Sequence, residues 1–512
     1  MTVQAPQGDA AADASGSSRP RVVIVGAGFG GLAAAKRLGD APVEVTVIDR
    51  HNYHLFQPLL YQVATAALSP ADIAAPIRSV LARQTNTEML LDEVTGIDLA
   101  DRRVQTRDGG GRAFDYLILA TGSEYSYFGH EKEGWPQLAP GLKTLDDATA
   151  IRRRLLLAFE KAEATDDMMA RRSLLTFVLI GGGPTGVEMA GAVAEVARSA
   201  LARDFRHIDP ASARILLIEA GPRLLAGFPE PLSRYALGAL QRMGVEVWLS
   251  APVERIEEGS VLVKGEFVQS ANIIWCAGVK ATPVGSWLGA ETARNSTVRV
   301  APDLSVPGHP NVFVIGDAAL VPTPDGRGLP GLAPVAKQEG EYVADLITRR
   351  VEGRVEPGPF EYRDRGSLAT IGRGAAVADF GTLRLTGLAA WLVWGIAHIY
   401  FLIGFRNRLA VFLNWIWQYL TFGRGARLIT GEGASQIRSP REVSATTTQP
   451  SAMIKARPVI HDHDSFNDGL RGASGKEDMP GAAARHDPKH GEPVTSEAAL
   501  AGDKPSKGPA TH

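Results

Sequence analysis

The first apolar run after a polar leader is RVVIV, at residues 21–25, and the chain then turns through GAGFGG into the alanine-rich LAAAKRL. That order predicts a short strand, a glycine turn and a helix, and VEVTVIDR supplies the next strand of a βαβ unit. The pattern recurs at LLTFVLIGGGPTGVEMAGAVAEVA, with ARILLIEAG as its following strand. Two similar nucleotide-binding halves are therefore expected. Shorter strand-like pieces, ANIIWCAG and NVFVIGDAA, lie between about 250 and 320, and a helix is predicted over 333–349. Residues 388–422 are the most apolar region. From about 435 onward Ser, Thr, Gly, Pro, Asp, Lys and Ala dominate, which predicts disorder because such residues bury too little surface to offset ordering entropy.

Composition narrows the function. A chain of 512 residues, 45% hydrophobic and with 55 glycines, suits two or three domains rich in tight turns. Its 54 Lys and Arg nearly cancel 56 Asp and Glu, so no global field argues for nucleic acid. The lone cysteine, Cys276, excludes an internal disulfide and any mechanism that needs a redox-active cysteine pair. It reads as a small buried residue beside the cofactor cleft. The first 20 residues hold no apolar run, so no secretory signal is expected and the catalytic body should stay in the cytosol.

The glycines carry the first chemistry. Gly26-Ala27-Gly28-Phe29-Gly30-Gly31 fits G-x-G-x-x-G between strand and helix. Gly26 permits the tight turn, Gly28 lets backbone approach a pyrophosphate, and Gly31 allows close helix-to-strand packing. Asp49, followed by Arg50, ends the next strand, where a carboxylate can accept hydrogen bonds from ribose hydroxyls. Gly181-Gly182-Gly183-Pro184-Thr185-Gly186 repeats the pattern, with Glu219 in the place of Asp49, so two dinucleotides are implied. An acid there repels a 2′-phosphate and favours NADH over NADPH. Glu188 follows two residues after Gly186. It can face the nicotinamide end of the cofactor, or it can be a helix N-terminal carboxylate stabilised by the macrodipole.

With these motifs the chain resembles the flavoproteins built of two dinucleotide-binding domains. Ala120-Thr121-Gly122 matches their ATG turn and NVFVIGD their GD motif, with Gly316 and Asp317. The resemblance implies an α/β fold of two Rossmann-like domains, the NADH domain inserted in the FAD domain. Its parts would be a disordered leader at 1–20, FAD-binding segments at 21–150 and 296–385, and an NADH-binding domain at 151–295 containing Ala277 and Gly278. Membrane-associating helices would cover 386–432 and a disordered tail 433–512. Non-covalent FAD would be held near Asp317, with NADH as substrate.

Within that group HNYHLFQPLLYQVATAALSPADIAAPIR, WCAGVKATP, LPGLAPVAKQEG and the FLIGFRNRLAV…RGARLIT ending are similar to type II NADH dehydrogenases, the single-subunit NADH:quinone oxidoreductases. The resemblance implies NADH oxidation with two-electron transfer to a membrane quinone, without proton pumping, by a monotopic homodimer. Quinone contacts would come from Gln57, Pro58, Leu59, Tyr61, Ala336 and Gln338; the first glutamine of the family's A-Q-x-A-x-Q pattern is Pro334 here. Glu188 and Gln338 are the candidate catalytic residues. Sulfide:quinone oxidoreductases and disulfide reductases share the scaffold but need the missing cysteine pair. A soluble NAD(P)H reductase serving an iron–sulfur protein, or a flavin-binding module without turnover, stays open.

Two further segments complete the reading. Residues 388–405 carry no formal charge over 18 positions, which leaves a single membrane span open. In the next piece Asn407, Ala410, Asn414, Gln418 and Thr421 share a narrow helical stripe opposite Phe412, Trp415, Trp417, Tyr419 and Leu420, as expected of a helix lying at a membrane interface. Arg406, Arg408, Arg424 and Arg427 can meet anionic headgroups on the cytoplasmic face. Arg152-Arg153-Arg154 reads as a solvated helix face, and His461-Asp462-His463-Asp464, in the tail, is assigned no metal.

Overall fold

A computed structural model describes residues 19–323, 328–421, 423 and 425–430. The tail expected over 433–512, its His461–Asp464 cluster and nearly all of the expected leader lie outside the described residues. The chain starts with β1 (Arg21–Val25), α1 (Phe29–Arg37) and β2 (Glu44–Asp49), then a short α2 (Leu60–Ala64), β3 (Thr87–Leu91) and β4 (Tyr116–Leu119). A crossing strand β5 (Ser123–Tyr125) and the long α3 (Leu145–Ala164) lead into the second half.

That half repeats the design with β6 (Thr176–Ile180), α4 (Pro184–Glu195), β7 (Arg214–Ile218), β8 (Val245–Trp248) and β9 (Asn272–Trp275). Strand β10 (Val279–Ala281) returns antiparallel beside β5, so two strands tie the halves together. The chain then re-enters the first half through β11 (Ser305–Val306), β12 (His309–Val314) and α5 (Ala333–Val351). The sheet orders are β11-β12-β4-β1-β2-β3 and β8-β7-β6-β9. All pairs are parallel except β11 with β12. The second half is thus inserted in the first, and each sheet reverses its strand order beside its glycine turn, between β1 and β4 and between β6 and β9. In open α/β sheets that reversal opens the ligand crevice.

Helix α3 corrects one expectation. Consecutive helical residues diverge by about 100°, so three arginines cannot share a face. Arg152 is buried, and Arg154 Nη2 donates to the Ala271 carbonyl at 3.1 Å, tying α3 to the second half.

The C-terminal part forms a three-stranded sheet of β13 (Ser367–Gly372), β14 (Ala375–Asp379) and β15 (Arg384–Thr386), then α6 (Gly387–Phe401) and α7 (Phe405–Thr421). The uncharged run at 388–405 is therefore split. It breaks at Leu402–Gly404, with Gly404 at φ +87°, a left-handed value that glycine adopts freely. Among the described residues no helix is long and apolar enough to cross a membrane.

The polar stripe of α7 is also placed differently from expectation. It docks the helix on the protein: Asn407 Nδ2 donates to the Ala74 carbonyl at 3.3 Å, and Gln418 Nε2 to the Ala67 carbonyl at 2.5 Å. Trp415, expected among the outward aromatics, turns inward and donates from Nε1 to Gln62 Oε1 at 2.8 Å. The opposite face exposes Phe405, Leu409, Phe412, Leu413, Ile416, Trp417 and Leu420; on α6, Leu388, Leu392, Ile396 and Tyr400 form an exposed ladder at four-residue steps.

Candidate active site

The two glycine turns are built on the same plan. A Cβ on Gly26 would lie 2.4 Å from the Ala120 carbonyl oxygen, and one on Gly181 would lie 2.7 Å from the Ala277 nitrogen, so each turn presses against the loop across its strand reversal. A Cβ on Gly31 or Gly186 would stand 1.8 Å from the carbonyl of Gly26 or Gly181. Only glycine permits these approaches. Gly28 and Gly183 instead face open space, and as N-caps they offer no side chain to the first N–H groups of α1 and α4. Those donors are left for a phosphate. Phe29 and Gly30 open α1, while Pro184 and Thr185 open α4.

The acids also match. Asp49 accepts from the Ala27 and His51 N–H groups at 2.6 and 2.7 Å, and Glu219 accepts from those of Gly182 and Gly221 at 2.5 and 2.6 Å. Both are held at the rim of their turn, where ribose hydroxyls of a dinucleotide would lie. The observed cradles fit two dinucleotides. Arg50 follows Asp49 at the outer end of β2.

Where the halves meet, sequence reasoning found Asp317 but missed its partners. Ser123 Oγ donates to Asp317 Oδ2 at 2.5 Å and accepts from Lys143 Nζ at 2.5 Å; Lys143 also lies 3.7 Å from Asp317. Burial lowers the Lys143 pKa, and Asp317 opposes that shift. No motif advertises Lys143, which acquires this role only because the two halves pack together. Thr121 Oγ1 meets Thr282 Oγ1 at 2.6 Å beside Gly122. Buried Glu339 accepts from the Gly316 N–H at 2.5 Å, and burial pushes its pKa up to about 7.

A separate cavity of about 380 Å³ lies between α4, β13 and the α6–α7 hairpin. Glu188, Ala192 and Glu195 line it from α4 at helical spacing, Tyr61 and Gln62 from α2, and Trp391, Trp394 and Trp415 from the hairpin. Its lining is mostly apolar, and of its two carboxyls Glu195 accepts from the Arg373 N–H at 2.6 Å. Burial pushes the Glu188 pKa up to about 8, partly offset by the Thr370 backbone N–H. The macrodipole of α4 would have stabilised the anion and shifted the carboxyl down. Desolvation wins, so this glutamate carries a proton at neutral pH.

The quinone candidates separate in space. Tyr61 lines the cavity, with its hydroxyl accepting from Gln62 Nε2 at 2.9 Å. Gln57, Pro58 and Leu59 form a 3₁₀ turn ahead of α2, with Leu59 fully buried in the core. Ala336 packs under the first glycine turn, its carbonyl 3.0 Å from where a Gly30 Cβ would be. Gln338 spends both ends of its amide on Arg363, donating to its carbonyl and accepting from its N–H at 3.0 Å each. Cys276 is a thiol, its pKa pushed up to about 12 by burial, which removes it as a nucleophile. Among the described residues no group of His, Cys, Asp and Glu could hold a metal.

Residues 20–340 match the family model described as pyridine nucleotide-disulphide oxidoreductase, and residues 365–425 match an NDH2 C-terminal domain. The chain is 44% identical over 454 residues to the type II NADH:quinone oxidoreductase Ndh of Mycobacterium tuberculosis, covering 85% of this chain and 96% of that one. It is 43% identical to a second enzyme of that organism, NdhA, over 81% of this chain and 90% of the relative. Among solved structures, NDH2 from Plasmodium falciparum in complex with NADH superposes with a TM-score of 0.73 at 21% identity, over 81% of this chain and all of that one. The sulfide:quinone oxidoreductase of Aquifex aeolicus superposes less closely, with a TM-score of 0.58. Two matched glycine cradles, a lone thiol and this identity over nearly the whole relative agree: the chain belongs to the pyridine nucleotide-disulphide oxidoreductase family and, within it, to the type II NADH:quinone oxidoreductases.

Proposed function

We propose that this protein oxidises NADH and reduces a membrane quinone, with FAD held non-covalently in the first half, NADH bound on the second, and quinone received in the cavity under the hairpin. The observation that carries the reading is that cavity, a tryptophan-walled space with one protonated carboxyl, bounded on one side by helices with an apolar outer face. FAD supplies the hydride acceptor and the two-electron relay when bound. Gly26, Gly28 and Gly31 seat its pyrophosphate, Asp49 its ribose, and Asp317, aligned by Ser123 and Lys143, its ribityl or pyrophosphate side. Glu219 holds the adenosine ribose of NADH and sets the preference for NADH over NADPH. Glu188 holds a proton at its carboxyl for a quinone oxygen, and Tyr61 and Gln62 orient the quinone head.

The outer hairpin face lies on the membrane, its apolar side chains among acyl chains and Arg406 and Arg408 near anionic headgroups. No helix among the described residues crosses the bilayer to carry a relay of charged residues, and electron transfer in this reading occurs without proton pumping. A homodimer on the cytoplasmic membrane face completes the reading. An iron–sulfur partner gives no reason for so many exposed aliphatic and aromatic residues on one side.

A double substitution on the outward face tests the membrane contact. Ile396 and Leu413 are 70% and 54% exposed and outside the cavity lining. Burying each in acyl chains is worth about 1.5–3 kcal/mol. Ile396→Glu/Leu413→Glu should therefore weaken cosedimentation with vesicles by about 100-fold or more and spare NADH oxidation by ferricyanide. Undiminished cosedimentation would place the membrane contact elsewhere.

A further inference from the structure

Phe128 is an anomaly that none of the assigned roles uses. It is 67% exposed, among the most exposed aromatic side chains described, and its backbone has φ +54°. A bulky side chain in the left-handed region is a genuine outlier. The strain is imposed by a rigid frame. Ser126 donates its N–H to the Gly278 carbonyl at 3.1 Å, and its own carbonyl accepts from Trp275 Nε1 at 3.1 Å. Tyr127 is buried, stacked on Trp275 with ring centroids 4.9 Å apart, and its hydroxyl donates to the Ala139 carbonyl at 3.0 Å. Held on this side, the chain must turn Phe128 outward.

Its ring does not simply point to solvent. It rests on the Ala277–Gly278 turn: a Cβ on Gly278, itself at φ +62°, would meet the Phe128 ring at 2.5 Å. That turn follows β9, across the strand reversal from Gly181. With the NADH pyrophosphate on the Gly181–Gly186 turn and the adenosine ribose at Glu219 beyond β7, the other half of the dinucleotide must cross toward β9. It arrives at Gly278, beneath Phe128. An exposed aromatic ring offers a flat apolar surface to a planar heterocycle. Backbone strain of this kind persists where the surrounding structure enforces it, and it gathers at ligand clamps.

We propose that Phe128 is the aromatic clamp for the nicotinamide riboside half of NADH, packing against it from the strap that joins the two halves. The proposal rests on the second half being the NADH site. A merely structural Phe128 and a clamping one predict opposite pairs of results. Replacing it with glycine relieves the left-handed backbone and removes a ring that is mostly in water, so Phe128→Gly should unfold at the same temperature as the wild type or higher.

In the FAD-loaded protein, Phe128→Gly and Phe128→Ala should weaken equilibrium binding of NAD⁺ by about tenfold, the scale of one lost stacking contact. They should raise the KM for NADH by a similar factor with ferricyanide as acceptor, and Phe128→Tyr should restore both. Wild-type protein that binds NAD⁺ alongside glycine and alanine variants that bind it equally well would overturn the clamp while leaving the NADH site standing. Wild-type protein that binds no NAD⁺, with no NADH oxidation, would overturn the site and the clamp together. Lower stability of Phe128→Gly with unchanged NAD⁺ affinity would also overturn the clamp, making the residue a brace between the halves.

Discussion

Glu188→Gln is expected to lower NADH:quinone turnover by about 100-fold at pH 7, within the range attributed to a positioned proton donor, with a much smaller effect on NADH oxidation by ferricyanide. Its carboxyl is raised from an ordinary value of 4.5 to about 8, so at neutral pH the wild type carries a proton that glutamine cannot release. Wild-type quinone reduction should therefore fall as pH rises through about 8, whereas the residual rate of Glu188→Gln should lack that limb. Stability follows the same shift. Between pH 4.5 and about 8 the unfolded chain has lost this proton and the folded protein keeps it, so the contribution of Glu188 declines with rising pH across that window and levels above it. Thermal melts of Glu188→Gln should show a weaker pH dependence there and the greater relative gain near pH 9. Identical quinone pH profiles for the two proteins would remove Glu188 from proton delivery.

The second large effect comes from filling the cavity without touching its protonated carboxyl. Ala192 stands one helical turn after Glu188 and lines the 380 Å³ space. Phenylalanine there has room to extend into the void, so the overpacking cost should stay near the low end of about 1–3 kcal/mol. Ala192→Phe should reduce kcat/KM for quinone by at least about tenfold, a loss of about 1.4 kcal/mol, by excluding the head group. NADH oxidation by ferricyanide should change by no more than about twofold, because the Gly181 turn and Glu219 lie at the other end of α4. Paired steady-state assays separate the two half-reactions. An unaltered quinone KM would mean that quinone enters by another route.

The two dinucleotide cradles were legible because glycine is forced where Gly26 meets Ala120 and where Gly31 meets the Gly26 carbonyl; few other residues fit, so the motif is written in the chain. Asp49 and Glu219 followed from strand ends for the same local reason. The environment of Glu188 was not legible. Its position in the motif is local, but its burial comes from Thr370 and from hairpin tryptophans some 200 residues away in sequence. Helical periodicity correctly grouped Asn407, Ala410, Asn414 and Gln418 on one side of α7, but it cannot say whether a polar side meets water or protein. The carbonyls of Ala74, in a short strand paired with Tyr53–Leu55, and of Ala67, just after α2, decide that. The uncharged run at 388–405 counted as one segment until Gly404 broke it. Gln338 illustrates the converse: its place in a motif was plain, yet both ends of its amide hold Arg363.

Quinone reduction in the space between α4 and the membrane hairpin can be checked by capturing the head group in place. Photolabelling of the FAD-loaded protein in vesicles with an azido-quinone, in the presence and absence of excess unlabelled quinone, tests it most directly. Protected label is predicted on peptides carrying Tyr61–Ala67, Glu188–Ser199 and Trp391–Tyr419, and its loss is predicted in Ala192→Phe. Protected label confined to other peptides, in protein that still reduces quinone, would contradict the account.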